Sequence, residues 1–153
     1  MKALVKKYAE PGIWMEEVPM PEVGVNDVLI KVTKAAICGT DLHMYKWDEW
    51  SQSHCVPPYT MGHEFVGVVA EVGPGVRNFK VGERVTAEGH IVCGTCRNCR
   101  RGMGHVCENS LSVGIFGKDG AFAEYVTIPE SNIVHIRPEI PDDFAAIMDP
   151  FGN

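Results

Sequence analysis

Four cysteines, Cys93, Cys96, Cys99 and Cys107, lie in the stretch HIVCGTCRNCRRGMGHVC with the spacing C-x2-C-x2-C-x7-C. Thiolates are soft ligands, and four of them this close suit one closed tetrahedral zinc site. Gly94, Gly102 and Gly104 let the backbone turn tightly around such an ion, and Arg97, Arg100 and Arg101 offset the charge of four thiolates. An iron–sulfur cluster competes, because bacterial ferredoxins also begin C-x2-C-x2-C. Their fourth cysteine follows after three residues and precedes proline. Here the gap is seven residues and Glu108 follows. Reduced thiols or disulfides are a third reading. Four protein ligands leave no open position for substrate, so a zinc ion in this cluster braces the fold.

A second, scattered set has a different character. Cys38 lies in AICGTDLHMY, and His63 and Glu64 lie in MGHEFVG. A cysteine, a histidine and a carboxylate from separate segments match the three-ligand pattern of catalytic zinc, with a fourth position left for water or substrate. A buried cysteine is also commonly a small hydrophobe, so the trio alone leaves both readings open. Thr40 and His43 are three residues apart and share a face of a helical turn beside Cys38. A hydroxyl followed by an imidazole is a route for carrying a proton to solvent; a solvated surface histidine is the alternative. His63 and Glu64 are neighbours, and in a regular strand neighbours point to opposite faces. Both reach one ion only if the backbone bends at Gly62–His63.

Other candidates are substrate contacts. The WDEW loop places Asp48 and Glu49 between Trp47 and Trp50, where the acids attract an amino group or form an exposed acidic loop. Glu88 and His90 come from a strand end just before the cysteine cluster, and His90 either faces the site or is solvated.

The elements that must position these residues are mostly strands. MKALVKK, NDVLIKVTKAAI, EFVGVVAEVG, GERVTAE, AFAEYVTIP and SNIVHIRP each carry β-branched or alternating apolar residues bounded by Gly, Pro or Asn. Short strands at this spacing favour an antiparallel barrel or sandwich over a layered α/β fold. CGTDLHMY reads as a helical turn. PDDFAAIMDP reads as the start of a helix capped by Asp142 or Asp143, with nothing in the chain to pack on.

At 153 residues the chain is long enough for about one domain. A net charge of -6 argues against nucleic acid or an anionic membrane surface as the main partner. The N-terminus has too short an apolar run for a secretory signal, and no run is long enough to span a bilayer. A cytoplasmic, reducing setting is expected, in which clustered cysteines point to metal.

GHEFVGVVAEVG, ICGTDLH, VGERV and the four-cysteine lobe together resemble the catalytic domain of zinc-dependent medium-chain alcohol dehydrogenases, over essentially the whole chain. Within that family, AICGTDLHMYKWDEWS and DPFGN are similar to the members that act on L-threonine. The resemblance implies a mainly β, GroES-like barrel over residues 1–140, with an inserted structural zinc lobe over 90–110. Residues 141–153 would begin the connection to a Rossmann domain absent from this chain. It implies Cys38, His63 and Glu64 at a catalytic Zn2+, the four clustered cysteines at a structural Zn2+, and Thr40 and His43 as proton relay. Asp149 stands where the family places another carboxylate, as a ligand or just outside the ligand sphere, so Glu64 is expected to swing in and out. Trp50, Glu49 and His90 are the substrate candidates. The implied cofactor is NAD+, the implied partner L-threonine, and the implied full-length assembly a homotetramer. No G-x-G-x-x-G follows a strand here: VGPGVRNF lacks the third glycine, and GIFGKDGAF has the wrong spacing. The chain alone is expected to bind zinc but not NAD+, and to be inactive. A polyol or 2,3-butanediol dehydrogenase on the same scaffold, and a free-standing zinc-binding module, are the alternatives.

Overall fold

The computed structural model describes residues 1–152. Strands β1 (Lys2–Lys6), β2 (Trp14–Glu17) and β3 (Asp27–Ala36) are followed by two short helices, α1 (Gly39–Lys46) and α2 (Glu49–His54). Then come β4 (Tyr59–Thr60), β5 (Glu64–Val72) and β6 (Arg84–Ala87). The cysteine lobe runs from β7 (His90–Ile91) through α3 (Arg97–Arg100) to β8 (Leu111–Val113) and β9 (Gly117–Lys118). The described chain ends with β10 (Tyr125–Pro129), β11 (Ile133–His135), α4 (Asp142–Ala145) and α5 (Met148–Gly152).

The main sheet is antiparallel with order β10-β3-β5-β6-β11. Its β3–β5 ladder is shifted between Leu29 and Ile30 and again between Val32 and Lys34, and such irregularities bend a sheet. The sheet contributes Val28, Ile30, Phe65, Val69, Val85 and Ile128 to a core that also includes Val113 and Ala121. Smaller sheets, β2-β1-β4 and β7-β8-β9, flank it.

Strand β5 is buried on both faces, and this positions the site. Phe65 and Val69 point into the main core, whereas Val66 points the other way, against Ile136, Ala145 and Ala146. Period-two alternation then puts Glu64 on the Val66 face, which α4 and α5 cover. The predicted helix near Asp142 therefore does have a partner in the chain. Arg84 fixes it by donating to Asp142 through Nε at 2.9 Å.

Two local expectations are corrected. WDEW is not a loop: Asp48 is the N-cap of α2, accepting from the Ser51 N–H at 3.1 Å. Pro141, not Asp142 or Asp143, occupies the cap of α4. The two aspartates sit in the first turn, where the positive end of the helix dipole favours them.

Candidate functional site

The four-cysteine lobe is built for a cation. The Sγ atoms of Cys93, Cys96, Cys99 and Cys107 lie within 4.8 Å of one another. Cys107 Sγ is 3.5 Å from Cys93 Sγ and 3.9 Å from Cys96 Sγ. Sulfurs on a tetrahedral zinc, with Zn–S bonds of about 2.3 Å, stand about 3.8 Å apart, so the spacing fits. All four cysteines are unpaired. Backbone N–H groups converge on the sulfurs: Cys93 N donates to Cys107, Cys96 N to Cys93, and Cys99 N to Cys96. Hydrogen bonds from the Thr95 and Cys96 backbone hold the Cys93 thiol down at about 5. Desolvation and the neighbouring thiols push Cys99 up to about 12. Four thiolates this close need a cation to coexist near neutral pH. In the metal-free chain at pH 7, iodoacetamide should therefore label Cys93 first and Cys99 last, and saturating zinc should protect all four. Peptide mass spectrometry reads the order; equal labelling rates would contradict it.

The second donor set comes from two chain segments. Cys38 ends the link from β3 and is the N-cap of α1. His63 precedes β5, and Glu64 begins it. Their donor atoms lie within 4.8 Å of one another, with His63 and Glu64 buried. The bend that lets adjacent residues converge is made by Gly62, whose φ is +91°. Gly114 and Gly120 pack on the Gly62 peptide so closely that a Cβ on either would lie 2.2 Å from the Gly62 carbonyl oxygen.

Asp41 belongs to this centre as well, and the sequence reading passed over it. It lies three residues after Cys38 and turns back to accept from the Cys38 N–H at 2.9 Å, the spacing of an N3 acid at a helix start. Its Oδ1 is 3.9 Å from His63 Nδ1, and both atoms are buried with no hydrogen-bond partner among the described residues. Burial pushes the Asp41 carboxyl up, opposed by the Cys38 N–H and the His63 ring. A cation on Nε2 makes the Nδ1 proton a better donor toward a carboxylate. The orphaned pair thus fits a metal on the far side of the ring. Asp149, in α5, stands outside the three-residue donor set. Its Oδ1 accepts from Gly89 N at 3.3 Å. Burial raises its pKa, with Glu88, His63 and His90 among the charges around it.

Thr40 Oγ1 is 3.7 Å from Cys38 Sγ. His43 is on the same helix, and its Nδ1 is 2.5 Å from Asp48 Oδ2. Asp48 therefore faces an imidazole and caps a helix, which leaves it poorly placed as an isolated lure for an amino group. Trp50 lies against this pair, its ring 5.9 Å from His43 and stacked on His54 at 4.8 Å. Glu49 is exposed in the first turn of α2. His90 is exposed and held by Glu88 through Nδ1 at 2.6 Å. The structure thus brings Cys38, Thr40, Asp41, His63, Glu64 and, nearby, Asp149 together, and leaves Glu49 and His90 at the margin.

Comparison with known proteins locates this arrangement. Residues 24–139 match the alcohol dehydrogenase GroES-like domain. The chain is 61% identical over its whole length to L-threonine 3-dehydrogenase of Mesorhizobium japonicum and covers 44% of that protein. It thus spans less than half the length of the curated relatives it matches. Among solved structures, 2R,3R-butanediol dehydrogenase from Bacillus subtilis superposes with a TM-score of 0.82 at 32% identity, over 97% of this chain and 44% of that one. A short chain alcohol dehydrogenase from E. coli CFT073, complexed with NADH, gives 0.86 at 34% identity, over 99% and 42%. No helix among the described residues is long and apolar enough to cross a membrane.

Proposed function

The chain belongs to the alcohol dehydrogenase GroES-like family, and from that membership we propose that it forms the metal-binding catalytic part of an L-threonine 3-dehydrogenase. The whole enzyme converts L-threonine and NAD+ to 2-amino-3-oxobutanoate and NADH. The observation that carries this reading is the 61% identity over the full 153 residues. It is supported by a donor set of three residues, Cys38, His63 and Glu64, the number that on a tetrahedral zinc leaves a fourth position for a substrate oxygen. The scaffold is shared with a butanediol dehydrogenase, but at 32% identity, so the polyol reading ranks second. A free-standing zinc module would give the Cys38 set no purpose.

Cys38, His63 and Glu64 would hold a Zn2+ ion, with Asp149 or water completing the site as Glu64 swings out. Zinc bound there supplies Lewis acidity that acidifies a substrate hydroxyl. Thr40 Oγ1, beside Cys38, accepts the hydroxyl proton and gives up its own. His43 takes that proton and passes it to solvent. Asp41 holds the Cys38 backbone and orients the His63 ring. Trp50 walls the approach to His43, while Glu49 and His90 are outer contacts for the substrate. The cysteine lobe would hold a second zinc as a brace. No G-x-G-x-x-G occurs in these residues, so no NAD+ site is assigned to them. A cytoplasmic homotetramer is the assembly the family resemblance suggests.

The test is His43→Ala in the full-length enzyme. Turnover near neutral pH should fall by roughly 10²-fold or more, the usual worth of a positioned proton carrier, with zinc content unchanged. Unchanged turnover would remove His43 from the relay. A panel of L-threonine against 2,3-butanediol on the wild-type enzyme separates the two substrate readings, and faster turnover of the diol would overturn the first.

A further inference from the structure

Asp48 connects three features that the proposed mechanism leaves unexplained. The first is its pairing with His43 Nδ1 at 2.5 Å. The second is its role at the start of α2, where Oδ1 accepts from Ser51 N at 3.1 Å and lies 3.3 Å from Ser51 Oγ. The third is the turn that delivers it. Trp47 ends α1 in the left-handed region, at φ 54° and ψ 46°, a conformation that bulky residues rarely adopt. That turn folds the chain back, so that Asp48 N reaches His43 O at 3.5 Å while the carboxylate reaches the His43 ring.

The turn is held from outside. Lys6 is fully buried, and its ammonium lies 4.9 Å from the Trp47 ring centroid and 5.7 Å from that of Trp14. It donates to the Gly12 carbonyl at 2.9 Å and to the Glu10 carbonyl at 2.5 Å. A buried cation between two indoles, with two carbonyl acceptors, clamps Trp47 and so fixes where Asp48 begins α2. The two oxygens of Asp48 are divided between the helix cap and the histidine.

We propose that Asp48 is a positioning residue for the proton relay: its Oδ2 holds His43 as the Nδ1–H tautomer, so that Nε2 is the nitrogen free to accept a proton. The inference rests on the relay reading of His43 given above. Neutral imidazole carries one proton, and the hydrogen bond made by one nitrogen decides which nitrogen is the acceptor. A carboxylate only accepts, so Nδ1 must donate to it, and the lone pair is left on Nε2. An amide in place of the carboxylate, with its oxygen kept on the α2 cap, would present its NH2 to Nδ1 and favour the opposite tautomer. The lowered pKa of Asp48, caused first by the His43 hydrogen bond and then by the Ser51 N–H, keeps it an acceptor throughout the neutral range.

The experiment uses the full-length enzyme with Asp48→Asn, Asp48→Ser and Asp48→Glu, each alone and with His43→Ala. Asn and Ser are good helix caps, whereas Glu is not among the preferred cap residues but keeps a carboxylate within reach. If Asp48 acts on His43, Asp48→Asn and Asp48→Ser lower kcat by about 10- to 100-fold, within the range for general acid–base groups, with KM for threonine and zinc content unchanged. Asp48→Glu then retains more activity than either. In the His43→Ala background the Asp48 changes cost no further activity. The reverse order, Asn and Ser better than Glu, or a full additional loss in the His43→Ala background, overturns the proposal and leaves Asp48 as a helix cap. Asp48→Asn with unaltered kcat, where His43→Ala is impaired, also overturns it. If His43→Ala itself retains full turnover, the relay reading fails first, and the assignment of Asp48 as its positioning residue falls with it.

Discussion

Cys38→Ser in the full-length enzyme should abolish measurable turnover while leaving the cysteine lobe loaded. Serine nearly matches cysteine in shape but replaces a soft thiolate with a neutral hydroxyl, a poor zinc ligand. The backbone at this position is fixed independently of the thiol, because Asp41 accepts the Cys38 N–H at 2.9 Å. The substitution therefore removes a ligand without removing the start of α1. Lewis acidity at a substrate oxygen is worth several kcal/mol, and each 1.36 kcal/mol is tenfold in rate. A loss of roughly 10³-fold or more is expected, with zinc content falling by about one ion per chain and the far-ultraviolet circular dichroism unchanged. Glu64→Gln should lose far less zinc than Cys38→Ser or His63→Ala, because Asp149 on the covering helix α5 lies close to the same centre. Equal zinc loss in all three variants would sink the swinging-carboxylate part of the mechanism.

Gly62→Ala should be strongly destabilising. The residue has φ +91°, and a Cβ there would lie 2.4 Å from Phe122 Cδ1 and 2.7 Å from the Phe122 backbone nitrogen. The ring has room only if it swings away, and the backbone nitrogen belongs to a chain pinned on both sides: Phe122 N donates to Met61 O at 2.8 Å, and Leu4 N to Phe122 O at 2.7 Å. Left-handed strain of about 1–2 kcal/mol and overpacking of about 1–3 kcal/mol add to roughly 2–5 kcal/mol. Small domains have only about 5–15 kcal/mol in total. The thermal midpoint should fall by roughly 4–20 °C at the few degrees per kcal/mol expected for this size, and zinc at the Cys38 centre should be lost with it. Gly39→Ala is the control, since a Cβ at Gly39 meets nothing within 4 Å and its φ is not positive. It should leave the midpoint within a degree or two. A Gly62→Ala protein with an unaltered midpoint would mean that the bend placing His63 and Glu64 is not as crowded as described.

These two cases also show where the sequence is informative. Donor chemistry is local to the side chain, so the four-cysteine spacing reads directly as a metal site, whereas Cys38, His63 and Glu64 read as one only with the family resemblance beside them. Runs of apolar and β-branched residues are local too, and the strands at 2–6, 27–36 and 64–72 lie where such runs occur. What could not be read are contacts that join distant segments. Lys6 stands next to Lys7 in the sequence, yet it is fully buried between Trp14 and Trp47. Its own neighbours in the sequence give no sign of those two rings. The bend at Gly62 was required by the argument that adjacent residues face apart. That Gly114 and Gly120 crowd the same peptide depends on a chain reversal some fifty residues away. Asp48 reads from the sequence as a lure for an amino group or part of an exposed acidic loop, because its pairing with His43 depends on a left-handed tryptophan, a conformation that bulky residues rarely adopt.

Counting zinc tests the central claim most directly: that the cysteine lobe is a brace and that Cys38, His63 and Glu64 form a separate metal centre. The 153-residue chain, purified from zinc-replete medium and freed of loosely bound metal, should carry about two zinc ions, one for each donor set. Zinc at about one per chain, all of it lost when Cys93 and Cys96 are replaced by serine, would leave the Cys38 set without a metal and contradict the account.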